Sequence, residues 1–153
     1  MGDLLNLEYK QQIIIENSCY EVLSMLKFIE GSSYWIEYIL KKENDGQMYY
    51  LDVEPIGKCA LHKMVNEKYN IELEIHYNGK LYGLFQKGNA KIQTYFGYTD
   101  VSLNEQVEYY EYICGNNLFT IEKWKNQLEI SEGKYINKNK IKIKKTNEDN
   151  FRI

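Results

Sequence analysis

The strongest constraint on the fold is a tyrosine-rich hairpin signal within residues 33–53. Two segments rich in aromatic and β-branched residues, 33–43 and 47–54, flank the turn sequence Asn44-Asp45-Gly46. An Asp-Gly pair suits a type I′ turn, which needs positive φ at both central residues. The sequence therefore predicts that the two segments pair as antiparallel strands joined at Asp45-Gly46.

The same pattern of short apolar segments and turn residues extends along the chain. Asn78-Gly79 is a second type I′ signal, and residues 71–77 before it alternate apolar and polar side chains. Such alternation puts one face of a strand on a core and the other in water. Gly88-Asn89 is interpreted as a further turn. The predicted strands cover residues 10–16, 19–29, 33–43, 47–54, 58–65, 70–77, 80–87, 90–97, 105–114 and 138–145.

Residues 120–131 fit two different structures. Ile121, Trp124 and Leu128 recur at helical spacing. In a strand, Trp124, Leu128 and Ile130 would share one face, and we favour this interpretation. The sequence thus predicts an all-β chain, or a mostly β chain with at most one short helix. It would fold as an antiparallel meander into a barrel-like or two-sheet structure.

The length of the chain, 153 residues, suits one domain. We predict a single β-rich domain over residues 1–145 and a polar C-terminal tail over residues 146–153. Lysine and isoleucine alternate across residues 140–144. We interpret this segment as an edge strand whose outward lysines discourage aggregation, in preference to a contact with RNA or a membrane.

The composition excludes several classes of protein. A formal net charge of −3 and a pI near 5.5 do not provide the positive field that a general nucleic-acid binder needs. No apolar run approaches the roughly 18 residues of a membrane span, and the first residues do not resemble a signal peptide. We therefore expect a cytoplasmic protein that neither binds nucleic acid nor inserts into a membrane.

The cysteines and histidines do not form a reactive or metal-binding motif. Cys59 and His62 have a spacing seen in metal sites, but residues three apart in a strand point to opposite faces. Cys19 and Cys114 lie in apolar segments, where buried thiols are usually inert. An odd, widely spaced set of three cysteines indicates reduced thiols. We predict no catalytic cysteine, no metal site and no cofactor.

Two carboxylates beside tryptophans are the candidate functional residues. In a strand, Glu37 shares a face with Trp35 and Ile39. If that face points inward, its carboxylate must find donors or become protonated. Glu122 beside Trp124 raises the same question. One alternative is a structural role, with each carboxylate bonded to tyrosine hydroxyls or a lysine; the other is a ligand site.

Three sequence clusters occur in a set order. They are Trp35-Ile36-Glu37-Tyr38-Ile39-Leu40, Tyr50-Leu51-Asp52-Val53-Glu54, and Ile121-Glu122-Lys123-Trp124 followed by Ser131-Glu132-Gly133. In type, order and spacing they resemble the W-x-E-Y-x-L strand, the following strand, and the late E-x-W and S-x-G elements of a bacterial family catalogued as domain of unknown function 4178. The resemblance implies a compact β-rich fold in a bacterial cytoplasmic protein. It also implies relatives encoded beside polyamine-synthesis and membrane-stress functions, and no established activity.

We therefore expect a non-enzymatic ligand-binding or accessory protein in a stress- or polyamine-associated system. Its partner would be a small molecule or another protein, bound through Trp35, Glu37, Glu122 and Trp124. A polycation would suit the carboxylates and the aromatic faces. One alternative is a hydrolase or transferase that uses Glu37 and Glu122 as acid and base. The other is an interaction module that pairs through an edge strand.

Overall fold

The computed structural model describes residues 3–97 and 99–144. This part of the chain is all-β, with two short 3₁₀ turns at Leu4–Asn6 and Lys138–Lys140. The strands are β1 (Gln12–Ile15), β2 (Ser18–Glu30), β3 (Ser33–Lys42), β4 (Met48–Val53), β5 (Cys59–Met64), β6 (Glu74–Tyr77), β7 (Lys80–Gly97), β8 (Gln106–Cys114), β9 (Asn117–Trp124), β10 (Gln127–Ile136) and β11 (Ile141–Ile143).

Eight antiparallel strands close into a barrel. Neighbouring strands pair in the order β2, β3, β4, β5, β10, β9, β8 and β7. The ring is closed by pairing of β7 with β2. The closing contact joins Ser24–Ile29 of β2 to the C-terminal half of β7. The predicted all-β, antiparallel, barrel-like fold is therefore confirmed.

Both predicted type I′ signals join antiparallel strands, but only one forms the two-residue turn. Asn78 and Gly79 have φ values of 49° and 76°, so β6 and β7 are joined as the sequence predicts. Between β3 and β4 the connection spans residues 43–47, and positive φ occurs at Gly46 but not at Asp45. The hairpin is confirmed, whereas its turn type is wrong.

Two other local predictions need correction. Residues 80–87 and 90–97 belong to one strand, β7, because Gly88 and Asn89 pair with β8 instead of turning. Residues 120–131 form parts of two strands, β9 and β10, that meet at Lys125-Asn126. Strand structure is thus confirmed and the helical alternative is wrong, but the predicted shared face is wrong too. Trp124 belongs to the inner cluster and Ile130 to an outer one, because a turn separates the two strands.

The sheet continues beyond the barrel at both ends. Among the described residues, β6 pairs only with β7, while β1 pairs with β2 and with β11, which is the last strand on that side. Within β11, Ile141 is buried and Lys142 is exposed, so the predicted edge strand forms over three residues. Residues 138–140, predicted as strand, form a 3₁₀ turn instead. The predicted tail, residues 146–153, lies outside the described residues.

The apolar core has three parts. One cluster covers the outer face of β3, β4 and β5 beneath β1 and β11 and includes Ile36, Tyr38 and Leu40. A second covers the outer face of β8, β9 and β10 beneath β6. A third lies inside the barrel and includes Phe28 and Trp124. Because both outer faces are apolar, the alternate residues of the same strands are left to line the interior.

No helix within the described residues is long and apolar enough to cross a membrane.

Candidate functional site

A cavity of about 440 Å³ lies inside the barrel. It extends to the turns that join β2 to β3 and β4 to β5, where Ser33 and Ile56 are part of its lining. Ile56 is 93% exposed, and Phe85 across the opening is 43% exposed. Eight strands enclose an interior of the size that holds one small ligand. The cavity is therefore an interior space that is partly open to solvent, with the exposed apolar side chains of Ile56 and Phe85 among its lining residues.

Aromatic side chains form one wall of the cavity. The Trp35 ring stacks on Phe28 with centroids 5.3 Å apart, and meets the edge of Tyr109 at 5.6 Å. Phe28 also contacts Trp124 at 6.2 Å. Such ring pairs hold each side chain in one orientation. Trp35 and Tyr109 therefore present a fixed apolar surface to the cavity.

Several carboxylates also line the interior. Those at the cavity are Glu30, Asp52, Glu54, Glu111 and Glu122. A small adjoining space is lined by Glu37 and Glu129, together with Asp52 and Glu122, which reach both spaces. This concentration of acids inside a barrel is unusual, because burying a charge without a partner is costly.

Two pairs of these carboxylates stand directly opposite each other on neighbouring strands. Glu37 of β3 pairs with Asp52 of β4, and Glu122 of β9 pairs with Glu129 of β10. Like charges at directly opposed positions destabilise a sheet. The interior is therefore built with electrostatic repulsion that other groups must offset.

Some of the carboxylates already have partners. Glu30 accepts hydrogen bonds from the Tyr109 hydroxyl, at 2.5 Å, and from the Asn89 backbone N–H, at 3.0 Å. Gly88 leaves room for this arrangement, since a Cβ there would collide with both Glu30 and Tyr109. Glu54 accepts a hydrogen bond from the Lys58 backbone N–H at 3.2 Å. These two carboxylates are held at the outer part of the cavity.

Asp52 pairs with His62. The Nε2 atom of His62 lies 3.1 Å from Asp52 Oδ2, and the imidazole is buried, with 4% exposure. Burial alone would lower the pKa of His62, but the charge and hydrogen bond of Asp52 outweigh it and raise the pKa. The other ring nitrogen, Nδ1, has no hydrogen-bond partner among the described residues.

Gly133 makes room for the imidazole. It is the direct cross-strand partner of His62 between β10 and β5. A Cβ at position 133 would meet His62 Nδ1 at 2.5 Å. The ring of His62 therefore occupies interior space that a side chain at this position would fill.

The remaining carboxylates have raised pKa values. Burial, followed by repulsion from Glu129 and Asp52, raises the pKa of Glu122 to about 8. Burial and Asp52 raise that of Glu111 to about 7. Burial, Asp52 and Glu122 raise the pKa of Glu37 well above its usual value. These shifts favour the protonated forms of Glu37, Glu111 and Glu122.

Lys58 does not neutralise this interior. It is the one lysine among the described residues that line the cavity, and the described part of the chain contains no arginine. The Lys58 ammonium lies 4.3 Å from the centre of the Tyr135 ring, in a cation–π contact. The lysine is thus held near the rim, on the face of an aromatic ring.

All four residues proposed from the sequence lie inside the barrel. Trp35 and Glu122 line the cavity, and Glu37 lines the adjoining space. Trp124 belongs to the inner apolar cluster, and its indole N–H donates to Glu122 Oε1 at 3.3 Å. The sequence prediction that Glu37 shares a face with Trp35 agrees with this placement.

Sequence reasoning missed several interior groups. Four of them are Asp52, His62, Tyr109 and Glu111. A signal for Asp52 was present, because alternation places it on the face opposite Leu51 and Val53, and the hairpin register sets it against Glu37. The other three come together through barrel closure between distant strands, which no local pattern reveals.

No group of three or more His, Cys, Asp and Glu side chains in residues 3–97 and 99–144 has the arrangement of a metal site. Cys59 belongs to the first outer cluster, whereas His62 lines the cavity, so their side chains lie on opposite faces of β5 as expected. Burial raises the pKa of the Cys59 thiol to about 12, which leaves it protonated.

Comparison with known proteins identifies the family to which this chain belongs. No curated protein and no solved structure matches the chain. A family model, described as domain of unknown function (DUF4178), matches residues 11–138. The match includes every strand of the closed barrel and all the residues that line its cavity. The chain therefore belongs to this family of domains of unknown function.

Proposed function

We propose that this protein binds a small molecule inside its barrel and does not catalyse a reaction. The observation that carries the proposal is the cavity of about 440 Å³, with a fixed aromatic wall and several convergent carboxylates. Small-molecule sites typically have volumes of about 300–1,000 Å³ and combine apolar walls with a few placed polar groups. Trp35, Glu37, Glu122 and Trp124 would form or support this site.

We further propose that the protein acts in the bacterial cytoplasm, as an accessory to a stress- or polyamine-associated system. Support for this setting comes from the gene context that the family resemblance implies. An interaction module acting through an edge strand, such as β6 or β11, would not require an internal cavity. The cavity is the reason to prefer a binding role over that alternative.

A thermal-shift screen tests the binding function. Polyamines, nucleotides and lipids would be added to the wild-type protein and to an Ala60→Leu variant. Ala60 is nearly buried and lines the cavity, so a larger side chain there would reduce the space for a ligand. We expect one class of compound to raise the Tm of the wild type and to have little effect on the variant.

The outcome separates binding in the cavity from binding elsewhere. The Tm of Ala60→Leu without ligand shows whether the variant is folded. Equal stabilisation of both proteins would place the ligand outside the cavity and contradict the proposal. No stabilisation by any class would also count against it.

Raised carboxyl pKa values favour one second candidate, an acid–base enzyme. A general acid that works at neutral pH needs a pKa near 7, as Glu111 and Glu122 have. Glu37 and Glu122 line the same small space and could act as the predicted pair. A screen of chromogenic esters, phosphates and glycosides would reveal hydrolysis, and Glu122→Gln should abolish it while leaving the protein folded.

A further inference from the structure

We infer that the ligand of the cavity is an organic cation, with an ammonium or guanidinium group bound by Glu111 and Glu122 and an apolar body against Trp35. The inference rests on the proposed binding function and adds the chemical class of the ligand. It is carried by the balance of charge, the geometry of two neighbouring carboxylates and the aromatic wall.

Glu111 and Glu122 are placed to share one cationic group. Glu111 of β8 pairs directly with Thr120 of β9, and Glu122 follows Thr120 by two residues. The two glutamates are therefore diagonal neighbours on the inner face, about 7–8 Å apart at the backbone. Both line the cavity. An ammonium or guanidinium group between two such side chains can donate a hydrogen bond to each.

Among the described residues, no lysine or arginine forms an ion pair with Glu111 or Glu122. Asp52 pairs with Nε2 of His62. Glu30 and Glu54 accept hydrogen bonds from backbone N–H groups. Lys58 is engaged on Tyr135. No hydrogen bond from another described residue reaches the Glu111 carboxylate, and Glu122 accepts one long bond from the Trp124 indole. Glu111 and Glu122 thus have no lysine or arginine counter-ion within the described residues, and the basic group that lowers the pKa of both is His62.

The buried imidazole beside these acids gives an independent indication of a ligand site. His62 lines the same cavity, is 96% buried, and leaves Nδ1 without a hydrogen-bond partner in the described part of the chain. Buried polar atoms in a solid protein interior are normally satisfied. The interior therefore contains an unpaired imidazole nitrogen close to carboxylates of raised pKa, and these are polar groups that a ligand can contact.

The apolar part of the ligand follows from the aromatic lining of the cavity. Trp35 stacks on Phe28 and is in T-shaped contact with Tyr109, and both Trp35 and Tyr109 line the cavity, so aromatic surface borders the space for a ligand. Phe85 and Ile56 extend apolar surface to the opening. A ligand with an aromatic or aliphatic body would cover this wall while its cationic end reaches the glutamates. A compact inorganic cation would leave the wall bare.

Three matched probes test the class of ligand. They are 3-phenylpropylamine, 3-phenylpropan-1-ol and 3-phenylpropionate, which share an aromatic body and differ in the charge of the end group. Calorimetric titration at pH 8 would measure each affinity. We expect the amine to bind at least about tenfold more tightly than the alcohol, and the propionate to bind most weakly.

Variants assign the effect to the two glutamates. Glu122→Gln and Glu111→Gln should each reduce amine affinity about tenfold or more and leave the affinity for the alcohol almost unchanged. Glu74→Gln is the matched control, since Glu74 is an exposed carboxylate on β6 outside the barrel. Neutral glutamine removes electrostatic repulsion between the interior side chains, so both variants should fold. If one variant does not fold, the amine affinity of the other still tests the inference.

The results distinguish this inference from the proposed function. Tighter binding of the alcohol or the propionate, lost in Ala60→Leu, would overturn the cationic ligand and retain the binding function. Amine binding that survives in both glutamate variants would also overturn the inference. If none of the three probes and no compound of the wider panel binds, both the inference and the proposed function are wrong.

Discussion

The Nε2 atom of His62 lies 3.1 Å from Asp52 Oδ2, on neighbouring strands β5 and β4. The pair is inside a barrel whose other ionisable groups are almost all acids. Asp52 therefore has two opposite effects. It raises the pKa of His62, which favours the charged imidazole, and it raises the pKa of Glu37, Glu111 and Glu122 by repulsion, which favours the neutral acids.

Substituting Asp52 should shift the titration of His62. In Asp52→Asn the imidazole loses its charged partner but remains buried, so we expect the pKa of His62 to fall. Proton NMR of the imidazole resonances measures this directly, because the chain has only two histidines. His76, exposed on β6, is the internal reference. An unchanged or higher pKa of His62 would show that the pair does not form in solution.

Gly133 should not tolerate a side chain. An alanine Cβ would meet His62 Nδ1 at 2.5 Å and the Leu61 carbonyl oxygen at 2.8 Å. We expect Gly133→Ala to lower the free energy of unfolding by about 1–3 kcal/mol, measured by urea denaturation. Gly83→Ala is the control, since no atom lies within 4 Å of a Cβ there. Equal losses in both variants would mean that the contact with His62 is not the cause.

The local part of this fold could be predicted from the sequence, because alternation and turn residues act over a few positions. The face shared by Trp35 and Glu37 follows from the period of a strand. Gly88 shows where this reasoning fails. A Gly-Asn pair suits a turn, yet here the missing side chain admits Glu30 and Tyr109 from other strands. Glycine as a turn residue and glycine as a point of close approach look identical in one sequence.

The site could be predicted only in part, because barrel closure brings distant residues together. His62 meets Gly133 through the pairing of β5 with β10, which are far apart in the chain. Glu111 lies close to Glu122 only because β8 pairs with β9. The carboxylates beside the tryptophans were recognisable, but not the cavity they share. Long-range register is set by the fold as a whole, and a single sequence gives no direct signal of it.

The Tyr38 hydroxyl should anchor the N-terminal segment to the barrel. It donates to the Leu4 carbonyl oxygen at 2.6 Å and accepts from the Leu7 N–H at 3.1 Å, in a fully buried position. Tyr38→Phe leaves both backbone groups without this partner. We expect a loss of about 1–3 kcal/mol in the free energy of unfolding and faster hydrogen exchange at Leu7.

Tyr95→Phe controls for loss of a tyrosine hydroxyl, because Tyr95 is partly exposed on β7. Tyr95→Phe should change the free energy of unfolding by no more than about 0.5 kcal/mol and should leave hydrogen exchange at Leu7 unchanged. If Leu7 exchanges at the same rate in Tyr38→Phe as in the wild type, the segment is held by its apolar contacts alone.

The interior acids determine how stability should depend on pH. The pKa of Glu122 is about 8 in the folded protein against 4.5 as a free side chain. Between these values the folded state binds a proton that the unfolded state has released. The free energy of unfolding must therefore fall as pH rises from 4.5 to 8. The raised pKa of His62 acts in the same direction, because its stabilisation is lost as the imidazole deprotonates.

We accordingly expect the protein without ligand to be more stable at pH 5.5 than at pH 8. Glutamine resembles the protonated acid, so Glu122→Gln should raise stability at pH 8 by about 1–3 kcal/mol and flatten the profile. Urea denaturation across this range measures both effects, with Glu74→Gln as the surface control. A wild-type profile that rises toward pH 8, or a Glu122→Gln profile as steep as the wild type, would show that Glu122 is ionised and compensated in the folded barrel.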